Sequence, residues 1–239
     1  MKRDISIIKL DANKSLVVAC DSLGGIGSKE YDKIKVSSRL VGKFTARVAL
    51  MELLSSGATP ISVVDTLSVE LKPTGEEIIK GMKEELAKVG IDELLTGSTE
   101  ENIKTVQTGI GVTAIGLINI NELRVGTSQK EDLIVAIGLP KVGNEVLADL
   151  NQVADLDLVV ELLELEYIHE ILPVGSKGVL YEAQLLAESN GLQLSLLENK
   201  VDLQKSAGPA TVVLVTVAED DLTSLKLIDK PVNVIGRLN

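Results

Sequence analysis

Apolar residues in this chain come in short aliphatic runs, each broken within a few residues by Gly, Asp, Asn or Pro. Residues 5–10, 16–20, 62–69, 112–118, 133–137, 210–217 and 232–238 read as strands. Between them lie stretches with helical spacing. Residues 42–56 place Phe44, Val48 and Met51 on one face and stop at Gly57. Thr74 and Glu77 form a capping-box pattern ahead of a helix that buries Ile79, Met82, Leu86 and Val89 and ends at Gly90. The pairs Glu76/Lys80 and Glu84/Lys88 fall on its wet side. The leucine-rich residues 145–165 read as helix with a break or strand near the end, and residues 177–190 as a further helix closed by Gly191. Strands mixed with amphipathic helices in this way define an α+β chain.

With 239 residues there is room for one large domain or two modest ones. Composition turns polar at Gly126-Thr127-Ser128-Gln129-Lys130-Glu131-Asp132, which sets an expected boundary between domains 1–125 and 126–239. Aromatics make up 2% and Trp is absent, so the core must be aliphatic. The lone Cys20 lies in an apolar run and reads as a small buried hydrophobe. No apolar run approaches the roughly 20 residues that span a bilayer, and the first residues are strand-like, so a cytoplasmic protein is expected. A net charge of −11 argues against nucleic acid and anionic membranes as partners. A nucleotide ligand would need local cations or a divalent metal held by carboxylates.

The residues that carry chemistry begin with Asp21, at the exit of the run Leu16-Val17-Val18-Ala19-Cys20 and ahead of Ser22 and the glycines Gly24, Gly25 and Gly27. An acid so placed can hold a metal against a phosphate. The glycines lack P-loop and dinucleotide spacing and read as a flexible loop. Lys43 and Arg47 lie one turn apart after Gly42, at a helix start that suits an anion, or else on a solvated basic face. Glu52 sits between Met51 and Leu53, and is either a metal ligand or a surface acid. Asp65 interrupts the strand Val63-Val64-Asp65-Thr66-Leu67, where an acid is costly and reads as functional. The polar run Gly97-Ser98-Thr99-Glu100-Glu101-Asn102 is either a metal-binding loop or an ordinary helix cap. Gly175-Ser176-Lys177-Gly178 opens a helix and is a phosphate cradle or a simple helix start. With no second His, His169 is structural.

These pieces stand in a definite order: a strand ending in Asp21; the helix and turn Val48-Ala49-Leu50-Met51-Glu52-Leu53-Leu54-Ser55-Ser56-Gly57-Ala58-Thr59-Pro60; the Asp65 strand; the polar Gly loop; Gly111-Val112-Thr113-Ala114-Ile115-Gly116; and Pro231-Val232-Asn233-Val234-Ile235-Gly236. The order resembles the superfamily of aminoimidazole-ribonucleotide synthetase, thiamine-monophosphate kinase, selenophosphate synthetase and the hydrogenase-maturation dehydratase. The resemblance implies an N-terminal mixed sheet that pairs across a homodimer into a barrel, and a C-terminal α+β sandwich. It implies ATP and Mg2+ as cofactors. Asp21, Glu52, Asp65 and Glu101 are then the expected metal set. Asp4, Lys43 and Arg47 are the expected catalytic groups. Ser22, Gly42, Ser98, Thr99, Glu100, Asn102 and Lys177 join Asp21, Lys43 and Arg47 around the nucleotide.

Three departures from the family pattern stand out. The chain starts almost at the first motif, so an upstream glycine-rich or lysine-bearing segment is expected to be missing. Ser98 stands where a Gly-Gly-Asp pattern has its acid, with Glu100 or Glu101 as substitutes. The run from Pro173 to Gly178 replaces an Asp-containing turn. The loop Thr96–Asn102 looks most like the α-ribazole kinase branch. The expected activity is therefore transfer of the ATP γ-phosphate to a hydroxyl of a nucleoside-like substrate, α-ribazole in cobalamin salvage. The alternatives are a ligase or cyclase, an enzyme like thiamine-monophosphate kinase, and a non-catalytic nucleotide-binding module.

Overall fold

The computed structural model describes residues 3–239; Met1 and Lys2, counted in the first expected domain, lie outside the described residues. The chain divides into two compact units. One holds Asp4–Leu54 and Ala58–Asn121, the other Arg3, Ser55–Gly57 and Glu122–Asn239.

The first unit contains β1 (Ile5–Lys9), β2 (Lys14–Gly24), the two-residue strands β3 (Ile26–Gly27) and β4 (Ile34–Lys35), α1 (Ser38–Ser55), β5 (Thr59–Leu67), α2 (Glu76–Ala87), β6 (Leu95–Thr99) and β7 (Gly109–Asn119). Its main sheet has the order β1-β2-β7-β5-β6, antiparallel except for the β5–β6 pair. Among the described residues the sheet is open, with β1 and β6 at its edges. β2 alternates strictly: Ser15, Val17 and Ala19 are buried, while Cys20 is exposed. The expectation of a buried Cys20 therefore fails, because period-two geometry turns it to the face opposite the core. β2 also runs past Asp21 to Gly24, paired residue by residue as far as Gly109. Asp21 thus lies inside a ladder, and the start of the expected flexible stretch is strand.

α1 begins at Ser38 rather than near Gly42. Gly42 is instead a crossing point: a Cβ there would overlap the carbonyl oxygen of Ile78, and one at Gly81 would overlap that of Arg39. The two helices meet backbone to backbone, which only glycine permits. α2 turns Ile78, Met82, Glu85 and Leu86 inward, leaving Ile79 and Val89 half-buried. The capping box does not form: no side chain caps α2, and the Thr74 hydroxyl donates to Glu70 instead. The surface ion pairs are Lys72–Glu76, Lys80–Glu77 and Arg39–Glu84.

The second unit contains β8 (Leu133–Gly138), α3 (Asn144–Ala148), α4 (Leu156–Leu163), β9 (Ile168–Pro173), α5 (Val179–Ser189), β10 (Leu194–Leu196), β11 (Val212–Val217), α6 (Leu222–Leu225) and β12 (Val232–Leu238). Its sheet is antiparallel throughout, in the order β10-β12-β8-β11-β9. Every residue of β8 and β11 is buried, which explains their unbroken aliphatic runs. α5 packs Ala183, Leu186 and Ala187 against Ile134, Leu172 and Leu214. The leucine-rich segment breaks in its middle, because Asp155 accepts from the Leu158 N–H at 3.0 Å and starts α4 there. Glu170, 1% exposed, accepts hydrogen bonds from Arg3, the backbone N–H groups of Gly126, Thr127 and Ser128, and Asn190. The polar stretch that marked the expected boundary wraps this buried carboxylate.

Gly42→Ala and Gly81→Ala each force the helix backbones apart, at a cost of about 1–3 kcal/mol of stability. Thermal unfolding checks this: both variants melt lower than the parent, and an unchanged midpoint contradicts the backbone crossing.

Candidate active site

The register of the first sheet places Asp21 on β2, Val112 on β7, Asp65 on β5 and Gly97 on β6 in a single row. Asp21 shares a face with the buried Val17 and Ala19, and Asp65 with the buried Val63 and Leu67, so both acids point to the covered side. Two strand spacings, about 10 Å, separate their backbones. Asp65 is 3% exposed and its Oδ1 has no hydrogen-bond partner. Gly97 makes room for that oxygen, since a Cβ at 97 would overlap it. Burial raises the Asp65 carboxyl to about 6, against the pull of the Ser98 N–H. Burial also raises Asp21 to about 6; the Ser22 N–H opposes this and the nearby charge of Asp4 adds to it. Asp4 itself is exposed.

The expected loop at 97–102 is in part an edge strand, β6, paired with β5 from Val63 to Leu67. Ser98, Thr99 and Glu100 line a small cleft of about 240 Å³ with Thr66, Leu67 and Ser68, at the end of the strand that carries Asp65. Ser22 is exposed beside Asp21. Glu101 Oε1 accepts from the Leu71 N–H at 2.8 Å and from the Thr99 hydroxyl at 2.7 Å. Glu100 Oε1 accepts from the N–H groups of Asn102 and Ile103, which lowers its pKa. Glu52 is buried on α1. Among the described residues no three His, Cys, Asp or Glu side chains form a metal-binding group. Asp21, Glu52, Asp65 and Glu101 are thus not brought together as one metal-binding group.

Lys43 and Arg47 need a correction. Because α1 starts at Ser38, both lie within the helix rather than at its positive end. Arg47 is 6% exposed, donates to Glu85 Oε1 at 2.8 Å and lies 4.7 Å above the Phe44 ring. Lys43 Nζ stands 4.0 Å from Glu85 Oε2. Glu85 is fully buried and holds these cations as countercharge. Gly42 serves the helix crossing. Lys177 precedes α5 and lies 4.3 Å over the Tyr181 ring, and the Leu180 N–H at that helix start donates to Leu203 O at 2.8 Å. Gly42, Lys43, Arg47 and Lys177 thus have structural partners of their own.

Sequence reasoning passed over a larger cleft of about 880 Å³, bounded by residues 24–26, 33–34, 68 and 104–109. It also passed over Asp32, which is 5% exposed. Asp32 accepts from the N–H groups of Lys29 and Thr108 and from the Thr108 hydroxyl, and so ties the two walls together. Glu85 was detectable, because it stands on the apolar stripe of Ile78, Met82 and Leu86. The cleft was not, because its walls are 70 residues and more apart in sequence.

Residues 2–118 match the family model described as AIR synthase related protein, N-terminal domain. No curated protein sequence matches. Among solved structures the chain is similar to a thiamine-monophosphate kinase from Aquifex aeolicus, with TM-score 0.68, 16% identity, and coverage of 99% of this chain and 88% of that one. It is similar to the same enzyme from Stenotrophomonas maltophilia K279a, with TM-score 0.65, 20% identity, and coverage of 98% and 88%. It is also similar to the hydrogenase maturation protein HypE of E. coli, with TM-score 0.68, 17% identity, and coverage of 93% and 79%. The α+β fold is shared with all three.

The burial of Asp65 has a testable sign. Its carboxyl titrates near 6 in the folded chain and near 3.9 when unfolded. Between those values the folded state binds more protons, so stability falls as pH rises through that window. Asp65→Asn removes the buried charge. It should unfold later than the parent at pH 8, by on the order of 1–3 kcal/mol, with the gain fading below about pH 4. Denaturant melts at both pH values check it, and a pH-independent difference contradicts it.

Proposed function

We propose that this AIR synthase-related chain is an ATP- and Mg2+-dependent small-molecule kinase that moves the γ-phosphate to a substrate hydroxyl. The observation that carries the reading is the row of two carboxylates on the covered face of the sheet, Asp65 buried with one unsatisfied oxygen and Asp21 half-buried. A buried anionic oxygen without a donor is costly, and Asp65 Oδ1 is such an atom, packed against Gly97 where a Cβ would overlap it. Mg2+ takes one or two carboxylates and completes its shell with phosphates and water. Two acids about two strand spacings apart fit that better than they fit an all-protein cage. Asp21 and Asp65 would hold the ion, with Glu52 and Glu101 as more distant contributors. When bound, Mg2+ neutralises charge on the transferring phosphoryl group.

The chain's own groups then position and exclude. Ser98 and Thr99 offer hydroxyls at the end of β5 and β6, and Ser22 and Asp4 lie beside Asp21. Asp4 is the group placed to orient or accept a proton from the substrate hydroxyl. Phosphoryl transfer depends on positioning and electrostatics, so it needs no His or Cys nucleophile. One similar structure, of an Aquifex aeolicus enzyme, is described as complexed with AMPPCP and TMP, which supports the nucleotide part of the reading.

The finer reading is a nucleoside-like substrate, α-ribazole, converted to α-ribazole phosphate. The two expected domains, 1–125 and 126–239, and a homodimer belong to the same proposal. The sheet face turned away from the core leaves Ile8 exposed, and a second copy would cover it. Among the described residues no helix is long and apolar enough to cross a membrane, and a cytoplasmic site is part of the reading.

A screen of nucleosides with ATP and Mg2+, read by ADP release and product mass, tests the proposal. The expected result is a stable phosphoester, with turnover down at least about a thousandfold in Asp21→Asn and the fold intact. Full turnover in Asp21→Asn removes its metal role. A product other than a phosphoester favours the ligase or cyclase reading.

A further inference from the structure

The 880 Å³ cleft has chemistry that the acid row does not explain. One wall is the segment that leaves β2 at Gly24, and the other is residues 104–109. Together they carry four lysines, two of which are tied down. Lys29 Nζ pairs with Glu70 Oε2 at 2.5 Å and donates to Thr105 O at 3.0 Å. Lys35 Nζ donates to the carbonyls of Lys29 and Glu30. Lys33 and Lys104, one on each wall, line the cleft, and their ammonium groups make no ion pair or hydrogen bond with the described residues.

The glycine backbone is not the anion binder here. The Gly25 N–H donates to Thr108 O at 2.9 Å, the Tyr31 N–H to Val106 O and the Lys33 N–H to Gly25 O. These bonds set the loop, and Asp32 clips it to Thr108. Asp32 is buried under three hydrogen bonds, and the Glu70 charge is matched by Lys29. Lys33 and Lys104 therefore leave the cleft locally cationic on a chain of net charge −11. A concave cationic site on an acidic protein concentrates anions where the rest of the surface repels them. Ile26, Ile34 and Val106 give the same cleft an apolar wall, and its volume is that of a whole small-molecule site.

We propose that this cleft binds a phosphate ester with an apolar organic part, its phosphoryl group held between Lys33 and Lys104. Gly24 continues β2 three residues beyond Asp21, about 10 Å along the strand. The bound phosphoryl group is either the tail of the nucleotide or the phosphate of the phosphorylated product, an assignment that rests on the kinase reading. The glycines at 24, 25 and 109 add no side chain of their own to the lining.

Calorimetric titration of the full chain with ATP plus Mg2+, and separately with α-ribazole phosphate, tests this without turnover. The variants are the double substitutions Lys33→Gln/Lys104→Gln and Lys33→Arg/Lys104→Arg, both at exposed positions. The Gln pair should weaken at least one probe by about ten- to a hundredfold, and the Arg pair should restore it to within a few-fold. Loss confined to ATP assigns the cleft to the nucleotide tail, and loss confined to α-ribazole phosphate assigns it to the product. Binding of both probes unaltered by the Gln pair, a loss that Arg does not restore, or no binding of either probe by the parent overturns the proposal. Failure of the kinase reading is separate, since it shows as absent phosphoester with binding retained.

Discussion

Two carboxylates on the covered face of one open sheet are the constraint around which the first unit is arranged. Asp21 and Asp65 are brought into one row by pairing through Val112. A single-residue slip of either strand would turn its acid to the other face. The long ladders that prevent such a slip, Lys14–Gly24 against Gly109–Asn119 and Thr59–Leu67 against the same strand, therefore also fix the site. Gly97 belongs to the same row and, lacking a Cβ, makes room for Asp65 Oδ1. The cost of burying these charges appears as raised carboxyl pKa values near 6. A fold that carries such a cost without a compensating partner in the chain is poised for a cationic ligand.

A second buried acid shows the contrasting solution. Glu85 is as deeply buried as Asp65, but Arg47 is within 2.8 Å, and Lys43 and Lys88 stand within 4 Å. Its charge is met inside the protein, so it holds α1 to α2 alongside the Gly42 and Gly81 crossing. Glu170 does the same in the second unit with Arg3 and three backbone N–H groups. Buried carboxylates among the described residues differ in how far the chain satisfies them, and Asp65, in the row, keeps one oxygen without a hydrogen-bond partner.

Much of the architecture was legible because aliphatic runs and helical spacing are local properties. The strands at 112–118, 133–137 and 232–238 follow from short aliphatic runs, and the helix behind Thr74 from helical spacing. Asp21 and Asp65 were legible because an acid in an apolar run contradicts its surroundings. The roles of Lys43 and Arg47 were not, since the helix start was taken from Gly42, whose purpose is a contact with Ile78 that sequence does not show. Cys20 was misplaced because an all-apolar run hides which residues face the core. The cleft with Lys33 and Lys104 is a product of loop docking through Asp32 and Thr108, residues far apart in the chain.

The central claim is that Asp21 and Asp65 hold a divalent ion together with a nucleotide rather than alone. Electron paramagnetic resonance of Mn2+, used in place of Mg2+, reads this directly. The account predicts that the free Mn2+ signal falls on adding protein only when ATP is present beyond the binding of ATP itself, and that this loss disappears in both Asp21→Asn and Asp65→Asn. Mn2+ binding that needs no nucleotide, or that survives both substitutions, would contradict it.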